Sequence, residues 1–166
     1  MMKVKRILLP LLLSLALSTA GCGLNSFQFG DTKIKVDPST GSVQVEDDQG
    51  TVSVNTGSQL PEGFPAELFP LPSGATITSS LSGEAPGQGV GKTYVVTADS
   101  SDSMSSLVKF YEGSLGDGQN FSKMDVNGST NLVGSKNGYS FVININPNDN
   151  QTSTINISVT EEKSGK

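Results

Sequence analysis

The sequence predicts an α+β fold: an antiparallel sheet with one amphipathic helix packed on one face, preceded by a short three-stranded β-meander. Three observations predict it. From residue 32 onwards apolar and polar residues alternate at period two over most of the chain, the pattern of strands with one buried face. One segment alone takes the helical period: Met104, Leu107, Val108, Tyr111 and Leu115 stand at i, i+3, i+4, i+7 and i+11. Two Asn-Gly dipeptides, Asn127–Gly128 and Asn137–Gly138, separate alternating runs, and such pairs favour two-residue hairpin turns.

The chain opens with Lys3, Lys5 and Arg6, followed by a greasy stretch from Ile7 to Leu17. That stretch is too short for a bilayer span, which needs about twenty apolar residues. It fits the charged and apolar regions of a secretory signal, residues 1–21. Small residues Ser18, Thr19, Ala20 and Gly21 lead to Cys22, the single cysteine. Residues 22–31 follow as a short tether whose bulky members are Phe27 and Phe29, expected at the membrane interface or over one end of the domain.

A nine-residue repeat comes next, KIKVDPSTG, SVQVEDDQG and TVSVNTGSQ, residues 33–59, whose strands make the expected meander of residues 32–57. Ile34/Val36, Val43/Val45 and Val52/Val54 alternate with polar residues, and Asp37–Gly41 and Asp47–Gly50 supply turns. A meander with only aliphatic pairs to bury needs a partner surface. Residues 58–166 are expected to form the α+β domain. Its entry, residues 60–74, carries four prolines that favour extended backbone. Leu60, Phe64, Leu68, Phe69 and Leu71 mark that segment as packed; a proline-recognition ligand is the functional alternative.

Residues 75–81 and 92–99 read as a strand pair around the glycine-rich loop GEAPGQGVG, 83–91. A phosphate-binding loop should follow a strand and open a helix. This one lies between two strands, so a plain hairpin loop is expected. The helix should run from about Ser101 to Leu115, with Ser100, Ser101 or Asp102 as N-cap and Gly116 as stop. It should pack through Leu107, Val108 and Tyr111. Pairing across Asn137–Gly138 then sets Leu132 opposite Ile143 and Gly134 opposite Phe141, with Tyr139, Phe141, Ile143 and Ile145 on one face. Ile155, Ile157 and Val159 repeat the alternation in the last strand. Met124 and Val126 fall opposite to Phe121 in this register, which calls for a bulge or a second covered face.

Composition narrows the chemistry. Without the leader the chain holds eight basic and sixteen acidic residues, a net of −8. Such a surface repels phosphate backbones, so no nucleic-acid partner is expected. Docking on anionic lipid by charge is disfavoured for the same reason. Histidine is absent, which removes the usual base of a hydrolytic triad and a main zinc ligand. No cofactor, metal site or catalytic residue is therefore expected. Glu46–Asp47–Asp48 and Glu161–Glu162 are the close acidic groups, read as a solvated turn and a solvated tail. Asn146–Asn150 lacks the repeated carboxylates of a strong calcium loop and reads as a turn.

Ala20–Gly21–Cys22 resembles the bacterial lipobox, in which a cysteine after small residues is diacylated on sulfur before cleavage. The resemblance implies lipid attachment at Cys22 and an anchor on the extracytoplasmic face of the cell membrane. Ordinary cleavage after Ala20, leaving a free thiol, is the alternative. Gly23 is not the aspartate that would favour inner-membrane retention, so the outer membrane is open in a two-membrane bacterium.

From residue 60 the chain resembles uncharacterised bacterial lipoproteins, many from Firmicutes, with a small α+β domain behind a lipobox. Leu60–Pro65, Leu71–Gly74, Asp99 and Phe110–Glu112 carry that likeness. It implies fold and location only. The expected function is a membrane-anchored, non-catalytic binding or interaction module, with a possible protein partner at the cell envelope. The alternatives are a carboxylate-dependent hydrolase of envelope polymers and a structural envelope protein. Two facing carboxylates in a pocket would favour the hydrolase; a bare apolar patch or an open sheet edge would favour binding.

Overall fold

The computed structural model describes residues 26–39, 41–48, 50–55, 58–84, 90–148 and 152–163. The leader and Cys22 lie outside the described residues, as do most of the glycine-rich loop and the pair Asp149–Asn150. Ten strands are described: β1 (Ser26–Phe29), β2 (Thr32–Asp37), β3 (Ser42–Asp47), β4 (Gly50–Asn55), β5 (Thr76–Glu84), β6 (Val90–Ser100), β7 (Gln119–Val126), β8 (Ser129–Lys136), β9 (Tyr139–Pro147) and β10 (Ser153–Glu162). The helix α1 (Met104–Leu115) lies between β6 and β7. All ten strands belong to one antiparallel sheet of order β1-β2-β3-β4-β5-β6-β10-β9-β8-β7.

This corrects the expected fold class. The chain is not a balanced α+β domain preceded by a separate meander. Among the described residues it is a mainly-β fold, one sheet with a single helix. The meander joins the rest through β4 and β5, with Val54 opposite Leu81 and Thr51 opposite Glu84. Pairing β4 with β5 satisfies backbone N–H and C=O groups that a separate meander would leave on an open edge. The expected tether also gives up residues to the sheet: Ser26–Phe29 pair with Thr32–Lys35 as β1. The side chains of Phe27 and Phe29 lie outside the description.

Local chemistry explains the hairpins. Asn127 and Asn137 both have φ of 51°, followed by Gly128 at 83° and Gly138 at 81°. These are the left-handed pairs of a two-residue turn. The register beyond Gly138 has Leu132 opposite Ile143 and Gly134 opposite Phe141. In β7 the pairing shifts between Gln119 and Ser122, and Asn120 takes φ of 54°. Phe121 packs against the core while Met124 and Val126 stay on the other side, 49 % and 51 % exposed.

The core lies on one face of the sheet. Ile143, Ile145, Ile155, Ile157, Val159, Val96 and Leu132 are fully buried there. Helix α1 covers β8 and β9 with Leu107, Val108, Tyr111 and Leu115. Its N-cap is Ser103, one residue beyond the expected candidates; its hydroxyl accepts from the Ser106 N–H at 3.3 Å. At the other end Lys136 Nζ donates to Ser114 O and to Asp117 Oδ1, each at 2.6 Å. The cation holds the Asp117 carboxyl below its ordinary range and neutralises the negative helix end.

The proline-rich segment covers a further part of that face. Phe69 is fully buried, 5.5 Å from the Phe141 ring and 6.1 Å from Tyr139. Phe64 meets Tyr94 edge-to-face at 6.0 Å. Among the described residues no helix is long and apolar enough to cross a membrane.

Candidate functional site

Because β2–β6 are one continuous surface, their alternation places opposite chemistries on the two faces. On the helix side β2–β5 carry polar rows: Lys35, Gln44, Ser53 and Ser82 stand in register, and Ser42, Asn55 and Ser80 form the next row. The entry to the proline-rich segment covers the β5 end of these rows, where the Ser80 hydroxyl donates to Gln59 O at 3.0 Å, and beyond it lies a trough of about 410 Å³. Ser42, Gln44, Thr51, Ser53, Asn55 and Ser82 line it. Glu62, Glu84 and Lys92 complete the lining.

Lys92 ties the rim together. Its ammonium donates to the Glu62 carbonyl at 2.9 Å and sits 5.1 Å from the centre of the Tyr94 ring. Cation and ring face attract each other. Tyr94 donates its hydroxyl to Glu161 Oε1 at 3.3 Å, and the Lys92 N–H donates to Glu161 Oε2 at 3.4 Å. Burial, followed by the charge of Glu161, pushes the Tyr94 hydroxyl up to about 12. Glu84 pairs with Lys163 at 3.3 Å.

The opposite face reverses the pattern. Val133, Val142, Ser158, Val95, Leu81, Val54, Val43 and Val36 form one row across eight strands, broken only by a serine. A second row runs Ile34, Val45, Val52, Gly83. Val45, Val52, Leu81 and Val95 line an open trough of about 390 Å³ between these rows. Val52 is 44 % and Val54 39 % exposed. The same face changes character beyond the row, towards the ends of β6, β8, β9 and β10. Thr97 donates to Asn156 at 3.0 Å, Asn144 to Asn131 at 2.6 Å, Ser129 to Asn146 at 2.7 Å and Thr154 to Asp99 at 2.7 Å. Asn146 also donates to Asn144.

Several sequence readings change here. Glu161 is not tail; it is a half-buried residue of β10, bonded to Tyr94 and Lys92. Asp47 and Asp48 are exposed at the β3–β4 turn as expected, with Asp47 at the border of the aliphatic trough. Asn148 closes the β9–β10 connection by donating its N–H to Thr152 O at 2.8 Å. Cys22, the one residue singled out for attachment, lies outside the described residues. Sequence reasoning missed Glu62, Glu84, Lys92 and Tyr94 as a group. The only local signal was charge at the strand ends beside the glycine-rich loop.

Chemically, the polar trough offers neutral hydroxyls and amides between two carboxylates and one ammonium. It suits an uncharged or cationic ligand rich in hydroxyl and amide groups. Among the described residues no three acidic side chains gather as a metal site. No family model, curated protein or solved structure matches this chain.

Proposed function

We propose that this chain is an extracytoplasmic lipoprotein, anchored to the membrane through Cys22, that binds an envelope ligand without transforming it. The polar trough on the helix side carries the reading. It is concave, its hydrogen-bonding side chains converge from several strands, and its rim is held by Lys92 through Glu62 and Tyr94. Binding side chains set on strands are held more precisely than on loops, and the polar lining fits a ligand rich in hydroxyl and amide groups. The anchor supports it by confining the domain to one surface, which raises the local concentration of a weak ligand.

A hydrolase is the second reading, because Glu62 and Glu84 line the same trough. A carboxyl acting as general acid needs a desolvated place or a close like charge. Glu62 and Glu84 are both exposed, and Glu84 is paired with Lys163. That arrangement favours binding over acid catalysis.

Calorimetric titration with neutral oligosaccharides and amide-bearing envelope fragments tests the proposal, with product analysis of the same samples. Saturable binding that weakens in Gln44→Ala, with no product formed, is the expected result. Turnover abolished by Glu84→Gln in a folded protein would replace the proposal with the hydrolase. The anchor is tested apart: Cys22→Ser should leave the membrane fraction or accumulate as uncleaved precursor. Normal processing with full membrane retention would refute it.

A further inference from the structure

The aliphatic face of β2–β5 has no described element over it, yet it carries almost every large apolar side chain of those strands. Ile34, Val36, Val43, Val45, Val52, Val54 and Leu81 share it; Lys33, Lys35 and Glu46 register on the other side, and Asp47 stands at the border of the patch. A contiguous apolar patch of a few hundred Å² is often functional. Its occupant follows from reach, size and charge.

Reach comes first. Ser26 opens β1 only four residues after Cys22. Four residues of extended chain span at most about 14 Å. With the anchor reading above, the β1 edge is therefore held within that distance of the lipid. The patch begins at the next strand, and β1 to β5 spans about 19 Å at the usual strand spacing. The aliphatic face thus belongs to the part of the sheet that the anchor brings to the bilayer.

Size comes second. Two rows across four or five strands cover on the order of 300 Å², from strand spacing and rise. A stable protein interface takes about 800 Å² from each partner. The patch is too small to hold a second copy unaided. A leaflet sets no such threshold, because the anchor already confines the domain beside it. Charge comes third. With a net of −8 on the mature chain and no cation in the patch, anionic headgroups gain nothing from it. Neutral phospholipid is the chemistry that fits.

We propose that the aliphatic face of β2–β5 rests on the headgroup–acyl boundary of the anchoring membrane, which turns the polar trough on the other face outward. The proposal rests on lipidation of Cys22.

The chain contains no tryptophan, so one introduced indole reports alone. Val54→Trp places it in the patch and Val52→Trp is a second reporter on the same strand. Phe110→Trp, on the exposed side of α1, is the control. Each full-length chain is produced in a lipoprotein-processing bacterium and reconstituted into phosphatidylcholine vesicles. Acylation of Cys22 is read by mass spectrometry on the same sample. With Cys22 acylated, lipid brominated along the acyl chain should quench Val54→Trp or Val52→Trp about threefold, as for a face seated 5–10 Å into the boundary. Phe110→Trp should stay unquenched. Acylated protein whose patch reporters remain in water overturns the proposal and leaves the anchor standing. Blue-shifted reporters that bromine does not reach mean a second copy or a protein covers the face, which also overturns it. Unmodified Cys22 overturns anchor and seat together. Adding phosphatidylglycerol should weaken the quenching; stronger quenching would refute the neutral-lipid assignment.

Discussion

Tyr111→Phe is predicted to make the protein more stable, the reverse of the usual effect of trimming a buried tyrosine. Tyr111 is fully buried on the sheet side of α1, and its hydroxyl has no hydrogen-bond partner among the described residues. Burial alone pushes that hydroxyl well above the ordinary tyrosine range. In unfolded chain water satisfies the same group. Leaving a buried hydroxyl unpaired costs about 1–3 kcal/mol. Deleting it returns that cost, less a small term for the vacated space. At about 24 cal/mol per Å³, a hydroxyl-sized void costs only a few tenths of a kcal/mol. The ring keeps its edge-to-face contact with Phe110 at 5.0 Å, so packing is otherwise retained. The net gain is about 1 kcal/mol or more, or roughly 3–4 °C in Tm for a domain of this size. Urea denaturation at neutral pH, with equal m-values for the two proteins, measures it directly. A loss of about 1 kcal/mol or more in Tyr111→Phe would refute the reasoning, because it would mean the hydroxyl has a partner in solution.

Leu107→Ala empties a fully buried position between α1 and the sheet and should cost about 2–5 kcal/mol, read as a lower urea midpoint. An unchanged midpoint would mean that the helix packs through another face. Gly91→Ala should destabilise the β6–β10 pairing, since a Cβ there would collide with Glu161 Cβ and lie 3.0 Å from Glu161 O; thermal melting within error of the parent would argue against that close approach. Tyr94 adds a pH dependence. Its folded pKa, pushed up to about 12, lies above the unfolded value near 10, so its contribution is complete below pH 10 and lost between pH 10 and 12. That amounts to at most about 2–3 kcal/mol, and less to the extent that solvent screens the hydroxyl from Glu161. Tyr94→Phe should flatten the alkaline slope of stability; an unchanged slope would place the hydroxyl in water.

Much of the architecture was legible because its causes are local. Asn127–Gly128 and Asn137–Gly138 announce their turns through backbone freedom, and the turn then sets the register of β8 on β9. The stripe from Met104 to Leu115 announces the helix and its buried face. The pairing of β4 with β5 was not legible. Period-two alternation tells which side chains share a face of one strand. It does not tell which face of a common sheet that becomes after a long connection such as residues 56–75. The reversal of apolar sides between β2–β4 and β8–β10 was hidden for this reason. The polar trough was hidden too, since Glu62, Glu84 and Lys92 come from three separate segments. Glu161 was misplaced because a polar run after the last apolar residues looks like tail until β6 and β9 pair with it on both sides.

That position of β10 has a consequence for timing. The last of the ten strands in chain order is fourth from the β7 edge, between β6 and β9, and is hydrogen-bonded along both sides. Until Ser153–Glu162 is available, β1–β6 and β7–β9 are two partial sheets, each with an inner edge open. Ile155, Ile157 and Val159 are missing from the core at that stage. The β6–β10 ladder joins residues 53 apart at Ser100 and Ser153 and 67 apart at Thr93 and Thr160, and such distant contacts form slowly. Folding therefore cannot finish while that strand is still being made or threaded through a channel.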